Sequence, residues 1–266
     1  MEQIIGNILP PTLILGGLGV VFGLGLSYAS KIFAVDIDKR IAMIKEVLPG
    51  ANCGACGYPG CDGFASAVVE GSAKIDGCPV GGYEASSKIA EIMGATVDEC
   101  EKKVARIFCR GTNSASKEKY EYYGIEDCFT ASQVFGGQKA CAFGCLGFGN
   151  CKNACAFDAI VIEEGIARVL EDKCTACGKC VEACPQNIIE LVPEKKRYAV
   201  LCRSKDKGAI TRKSCSVGCI GCMKCVKACP KDAISMVDNH AVIDTEKCVN
   251  CGVCVKVCPT SAIKKL

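Results

Sequence analysis

Cysteines set two residues apart in groups of four are the residues of this chain best placed to do chemistry. The plainest groups are Cys174-x2-Cys177-x2-Cys180-x3-Cys184-Pro185, Cys219-x2-Cys222-x2-Cys225-x3-Cys229-Pro230 and Cys248-x2-Cys251-x2-Cys254-x3-Cys258-Pro259. Thiolates at this spacing converge from a tight loop on one centre. In the run with a fourth cysteine before proline, three thiolates hold one [4Fe–4S] cube and the fourth ligates a second. One match could be chance; three in one chain could not. The chemistry expected is electron carriage along several cubanes.

Two further groups depart from that run. Cys53-x2-Cys56-x4-Cys61-x16-Cys78-Pro79 has its own spacing, with Gly54, Gly57 and Gly60 freeing the loop to wrap a cluster. Cys141-x3-Cys145-x5-Cys151-x3-Cys155 reads as a stretched ferredoxin run without the proline. In the paired arrangement, Cys141, Cys145, Cys151 and Cys184 would hold one cube, and Cys174, Cys177, Cys180 and Cys155 the next. Likewise Cys219, Cys222, Cys225 and Cys258 would hold one, and Cys248, Cys251, Cys254 and Cys229 another. With the Cys53 group this makes five clusters. Of the cysteines left over, Cys109, Cys128, Cys202 and Cys215 flank the first ferredoxin unit on both sides and form a candidate sixth set. Cys100 is expected on a helix, as a buried, inert thiol.

Composition excludes the main rivals. The chain has 25 cysteines in 266 residues and is half hydrophobic, whereas disulfide scaffolds are short and secreted. Zinc ribbons use separated CxxC pairs, not runs continuing into a third and fourth cysteine. With a single histidine, His240, there is little material for haem, Rieske or His-containing zinc sites, and the Asp238-Asn239-His240-Ala241 stretch reads as a solvated turn. A net charge of +3 and the lack of tryptophan argue against nucleic acid as a partner.

Other motifs do not hold. Cys215-x3-Cys219-x2-Cys222 has radical-SAM spacing, but two of its members already belong to a full ferredoxin run. Met93-Gly94-Ala95-Thr96 has a faint likeness to a site of covalent flavin attachment, with the wrong first residue. No Gly-x-Gly-x-x-Gly or Walker loop occurs. No acid–base pair or nucleophile for bond breaking is evident.

The elements that must position these cysteines follow from periodicity. Ile37, Ile41, Ile44 and Leu48 share one face of a short helix ended by Pro49-Gly50. Helices are expected over 62–70 and 84–93. Another is expected from Thr96, whose Thr96-x2-Glu99 is a capping-box pattern, to about Ile107. From Lys139 onward the chain repeats a Cys-rich loop, an Ala-Ile or Ile-Ile pair and a short strand. The fold expected is α+β and multidomain. Its parts are a transmembrane anchor (1–33), a small mainly helical 4Fe–4S domain (34–95), a connector (96–138), a two-cluster ferredoxin-like domain (139–193), a basic linker (194–215) and a second two-cluster domain (216–266).

Gln3 to Ser30 carries no charge, and Thr12 to Ser30 is long enough to cross a bilayer as a helix. Pro10 and Pro11 suit a helix start. The opening Met1-Glu2-Gln3 lacks the positive region of a signal peptide. Lys31, Lys39, Arg40 and Lys45 follow the span, which places the remainder on the cytoplasmic side of the cell membrane as a single-pass protein. Gly16, Gly17, Gly19, Gly23 and Gly25 predict close packing against other membrane subunits, the alternative being a simple, glycine-tolerant anchor. The basic run from Lys195 to Lys213 reads as a solvated linker or as a docking patch for an acidic electron carrier, centred on Lys205, Lys207 and Arg212.

The order of these parts carries a resemblance. The block Gly50-Ala51-Asn52-Cys53-Gly54-Ala55-Cys56-Gly57-Tyr58-Pro59-Gly60-Cys61 follows a glycine-rich membrane helix and precedes ferredoxin units. Cys109-Arg110-Gly111, Gly136-Gly137-Gln138-Lys139-Ala140-Cys141 and Gly144-Cys145-Leu146-Gly147-Phe148-Gly149 add to it. Over essentially its whole length the chain resembles the B subunits of Rnf electron-transport complexes, in the anaerobic, clostridial form with extra ferredoxin units. A similar Cys53-type domain occurs in corrinoid iron–sulfur proteins, but the membrane helix separates the two. The resemblance implies ferredoxin:NAD+ oxidoreduction coupled to Na+ or H+ translocation. This chain would take electrons from soluble ferredoxin and relay them towards membrane-embedded cluster and flavin subunits. NAD and flavin would bind elsewhere in the complex, to which the enzymatic label belongs. The competing reading is a membrane-tethered polyferredoxin serving a hydrogenase or CO-metabolising system. A one-carbon methyl carrier would need a corrinoid domain for which the chain has no room.

Overall fold

An uncharged run of this length has no stable alternative to a helix, because in lipid every backbone group must be satisfied within the segment. In the computed structural model the described residues are 2–33, 38–98 and 101–266, with side chains from Leu13 onward. Helix α1 spans Glu2–Ile32. It starts earlier than expected, so Pro10 and Pro11 lie inside it, where they cannot donate to the carbonyls one turn back. Leu13–Ile32 is long and apolar enough to cross a membrane, at a mean hydropathy of 1.8, and none of it is covered by the rest of the chain.

A small helical body follows. Helix α2 (Lys39–Val47) is capped by Asp38, whose carboxylate accepts from the Arg40 N–H at 2.9 Å. Helices α3 (Gly60–Val69) and α4 (Gly82–Met93) pack with it around Ile44, Leu48, Phe64, Val68 and Ile89. Of the residues expected on the first helix, Ile37 and Asp36 lie outside those described.

The expected helix from Thr96 to Ile107 is not formed. Thr96 is in irregular backbone, and β1 (Lys103–Ile107) is a strand antiparallel to β4 (Ile189–Pro193), with Ile107 opposite Ile189. Val104, Ala105, Arg106 and Ile107 are all buried, so sheet pairing overrides the local capping signal. Arg106 is held there by the Glu171 carboxylate. Cys100 lies outside the described residues.

The cysteine-rich remainder is one plan used twice. Helix α5 (Cys128–Gln133) and the single turn α6 (Asn150–Asn153) precede the hairpin of β2 (Ile160–Glu163) and β3 (Ile166–Val169), then α7 (Lys179–Glu182) and β4. In the second copy, β5 (Tyr198–Val200) and α8 (Gly208–Ser214) precede α9 (Lys224–Ala228). The hairpin of β6 (Ile234–Val237) and β7 (His240–Ile243), α10 (Val253–Val257) and β8 (Ile263–Lys265) complete it. β5 pairs antiparallel with β8, as β1 does with β4. Thus the expected connector and the expected basic linker each contribute a strand to the unit that follows.

From Cys141 onward the two copies run in step. Cys145 and Cys219, Cys151 and Cys225, and Cys184 and Cys258 are each 74 positions apart. His240 is the counterpart of Ile166 under the same offset, and this corrects the solvated turn: it begins β7 and is 4% exposed, as Ile166 is 7% exposed. Gly147 and Gly221 show how tightly the plan is built. Both are left-handed, and a Cβ would meet the Gly165 carbonyl oxygen at 2.5 Å and that of Asn239 at 2.8 Å.

Candidate iron–sulfur centres

The Cys53 group is assembled by a loop and two helix ends. Cys61 lies in the first turn of α3, and Cys78 lies shortly before α4. Asn52, left-handed at φ 47°, turns its amide oxygen to accept the Cys61 N–H at 2.8 Å. Cys53, Cys56, Cys61 and Cys78 line one cavity of about 330 Å³. The Gly81 N–H points at the Cys78 sulfur at 3.4 Å, and burial raises that thiol's pKa.

Three sets in the ferredoxin units group as the spacing predicts. Cys248, Cys251, Cys254 and Cys229 line a cavity of about 370 Å³. Cys180 has Cys174, Cys177 and Cys155 around it, and burial pushes its thiol up to about 11. Backbone N–H groups aim at these sulfurs in matching places: Ala159 to Cys155 and Ala233 to Cys229, both at 3.4 Å. Cys225 lies with Cys219 and Cys222, and Cys258 packs in the same core. For Cys258 burial is the largest single influence and raises the pKa. Donors from Ile263, Thr260 and Ala262 outweigh it and bring the thiol below its ordinary value.

The remaining eight cysteines do not group as the spacing suggested. Cys128, not Cys141, lines a cavity of about 360 Å³ with Cys145, Cys151 and Cys184. Burial pushes the Cys151 thiol up to about 12, and its neighbours include Cys145, Cys184 and Cys128. Cys141 instead joins Cys109, Cys202 and Cys215 around a cavity of about 400 Å³. The reason is visible in the repeat. Cys145-x2-Phe148-x2-Cys151-x3-Cys155 is the regular ferredoxin run with phenylalanine in the second place, where the other copy has Cys222. The segment from Cys109 to Cys141 is 19 residues longer than that from Cys202 to Cys215, and the longer segment carries Cys128. Cys128 packs with Ala131 and Leu146 beside Phe148 and Tyr122. The Asn150 amide oxygen accepts its backbone N–H at 2.7 Å. Reading Phe148 as a substituted ligand would have revealed the exchange.

These quartets fit a cubane better than a lone ion. Among the described residues no three His, Cys, Asp or Glu side chains converge on a single-ion site. Each cavity is walled by thiols with N–H donors aimed at sulfur, the surroundings that stabilise thiolate and cluster charge. Because a thiol must lose its proton to ligate iron, cluster insertion releases protons and is coupled to folding.

Comparison with known proteins agrees with this reading. Residues 48–80 match the family described as "Putative Fe-S cluster", 167–190 a 4Fe-4S binding domain and 218–262 a 4Fe-4S dicluster domain. The chain is 52% identical, over 90% of its length and 72% of the relative's, to the B subunit of the Na+-translocating ferredoxin:NAD+ oxidoreductase complex of Acetobacterium woodii. It is 43% identical to the B subunit of an ion-translocating oxidoreductase complex of Methanosarcina acetivorans, covering 88% of this chain and 89% of that one. A third relative is the B subunit of the proton-translocating ferredoxin:NAD+ oxidoreductase complex of Clostridium ljungdahlii, at 40% identity over 85% and 81%.

Proposed function

The chain belongs to the family of B subunits of ion-translocating ferredoxin:NAD+ oxidoreductase complexes, and on that premise we propose that it is the electron-relay subunit of such a complex. It accepts electrons from reduced soluble ferredoxin and delivers them towards membrane-embedded subunits. When bound, a [4Fe–4S] cube supplies one-electron exchange at a potential set by hydrogen bonds to sulfur, local charge and exposure. The chain's own residues do the rest. Cysteines from facing loops fix each centre, backbone N–H groups brace the sulfurs, and buried isoleucines such as Ile160, Ile188 and Ile234 keep water from the interior. NAD+ reduction belongs to the complex as a whole.

The observation that carries this reading is a series of thiol quartets strung along a chain that begins with a helix of membrane-crossing length. We read the fold as α+β and multidomain. The anchor and the Cys53 domain form the membrane end, and the two ferredoxin units, extended by β1 and β5, form the soluble end. Lys31, Lys39, Arg40 and Lys45 favour the cytoplasmic side for the soluble part.

We assign donor docking to α8 and the loop before it, where Lys205, Lys207 and Arg212 are exposed between Cys202 and Cys215. Lys205 shares its charge with Asp238 at 3.2 Å, a pair exposed enough to yield to an acidic partner. Rapid mixing of the purified complex with reduced ferredoxin tests both parts. The clusters of this subunit should be reduced, which electron paramagnetic resonance reads directly; silence would refute the relay. Reversing Lys205, Lys207 and Arg212 to glutamate should slow reduction at low salt by about tenfold and flatten its salt dependence. Unchanged rates would dismiss the docking patch and leave the relay standing.

A further inference from the structure

The cavity walled by Cys109, Cys141, Cys202 and Cys215 lies where the two ferredoxin units meet, and each unit supplies two of its cysteines by the same device. One follows the leading strand as a Cys-Arg pair: Cys109-Arg110 after β1 and Cys202-Arg203 after β5. The other opens a Cys-x3-Cys step: Cys141 before Cys145, and Cys215 before Cys219. The donors to sulfur repeat as well. The Gly111 N–H points at Cys109 and that of Ser204 at Cys202. The Phe143 N–H serves Cys141 and that of Val217 serves Cys215. The Cys145 N–H reaches the Cys109 sulfur at 3.3 Å, and the Cys219 N–H reaches the Cys202 sulfur. The site therefore has an approximate two-fold plan, and each half touches a cysteine of its unit's adjoining quartet.

The arginines of the two Cys-Arg pairs cross the junction. Arg110 donates to the Ser261 carbonyl of the second unit. Arg203 pairs with Glu190 of the first and lies over the Phe108 ring, 4.0 Å from its centre. The junction is thus a built interface rather than a gap.

A second, independent observation points to a negative occupant. Lys139 lines the same cavity and is 2% exposed. Its ammonium donates to the Gly111 and Gly165 carbonyls at 2.8 and 2.7 Å, and among the described residues it has no carboxylate partner. An ammonium taken from water without a counter-charge is costly. A cube with four thiolates is an anion and gains a further negative charge on reduction. Lys213, the counterpart of Lys139 in the second unit, is exposed, so only one unit supplies this charge.

We propose that Cys109, Cys141, Cys202 and Cys215 hold a [4Fe–4S] cluster that joins the two ferredoxin units, with the Lys139 ammonium as its fixed counter-charge. The proposal rests on the relay reading and gives that relay its bridge between units. It also makes the first unit's quartet Cys128, Cys145, Cys151 and Cys184.

The test uses full-length protein in the anaerobically purified complex, with metal analysis of the isolated chain and a redox titration followed by electron paramagnetic resonance. This chain should hold about 24 irons and no stoichiometric zinc. Cys109→Ser and Cys141→Ser should alter one and the same signal, while Cys128→Ser alters a different one. If Cys109→Ser and Cys128→Ser instead affect the same signal, the assignment is overturned. About 20 irons with five reducible signals, or zinc in the sixth place, would remove the bridge yet leave the relay intact. Failure of all signals to reduce would strike the relay itself. Lys139→Gln should make the bridging cluster harder to reduce by at least tenfold, 59 mV for one electron. Lys139→Arg should restore the potential, and the signal of the Cys53 group should not move. An unchanged potential in a Lys139→Gln protein that retains all its iron would overturn the counter-charge.

Discussion

The two ferredoxin units share strand order, register and sulfur-directed donors, yet in the proposed ligand assignment they fill one position by different means. In the second unit the position belongs to Cys222, an exposed residue of the cysteine loop itself. In the first, Phe148 stands there, and the buried Cys128 comes in from an insertion. A cluster requires a thiolate at a point in space, and the chain can bring it there from any direction. The detour changes the setting. Phe148 and Tyr122, with ring centres 5.3 Å apart, cover the thiol supplied by the insertion. Asp127 caps α5 through the Thr130 N–H at 2.7 Å, and Asn150 ties that turn to α6. Lengthening a surface segment adds little loop-closure cost, so the exchange is thermodynamically cheap.

That difference can be undone by mutation. Cys128→Ser should lose one cluster, about four irons per chain, from the first unit. Adding Phe148→Cys should restore it by returning the ligand to the place that Cys222 holds in the other unit. The rescued cluster should be stripped faster by an iron chelator, because its cover has been opened. Iron content and chelation rate together check this. Failure of Phe148→Cys to rescue, in a protein that still folds, would show that the two loops are not equivalent.

Much of this was legible in the residues, and what was hidden has physical causes. The three uninterrupted runs disclose their loops because ligand spacing there is local. Phe148 conceals the fourth, since a missing thiol breaks the motif while the backbone keeps its path. The Cys109 and Cys202 thiols follow strands whose partners are distant in sequence, and no local pattern announces β1 or β5. Thr96 shows the converse: a capping pattern was present, but burial of Val104 and Ile107 against β4 decided the outcome. Tyr198–Val200 lies in a strongly basic stretch, yet Ala199 and Val200 are core residues. Membrane-helix length and apolarity were readable from composition alone.

The junction arginines are unequal in a way that stability measurements can separate. Arg203 combines an ion pair to Glu190 with a cation–π contact to Phe108, and its side chain is largely buried. Arg203→Ala should therefore destabilise the junction by about 2 kcal/mol. Arg110 makes one exposed hydrogen bond to the Ser261 carbonyl, and Arg110→Ala should cost about 0.5 kcal/mol. Denaturant unfolding of the cluster-loaded protein, followed by visible absorbance, gives both values. Equal losses would mean that the approximate two-fold plan extends to the clasp energies.

The smallest contrast is between His240 and its counterpart Ile166, which occupy the same buried place at the start of a hairpin's second strand. Burial lowers the imidazole pKa below its ordinary 6.5. The Asp238 carbonyl pulls it up, and the Arg203 and Lys205 charges push it down further. The folded chain therefore binds a proton at His240 less readily than the unfolded chain does. Stability from this group is complete above the unfolded pKa and is lost as pH falls below about 6.5 towards the lower folded value. His240→Ile, which copies the first unit, should remove this dependence while leaving the fold unchanged. Unfolding midpoints of the two proteins should then diverge between pH 7.5 and 5.5, with the wild type losing more stability. Parallel curves would mean that the imidazole binds a proton equally well in the folded and unfolded chains, so that burial does not lower its pKa.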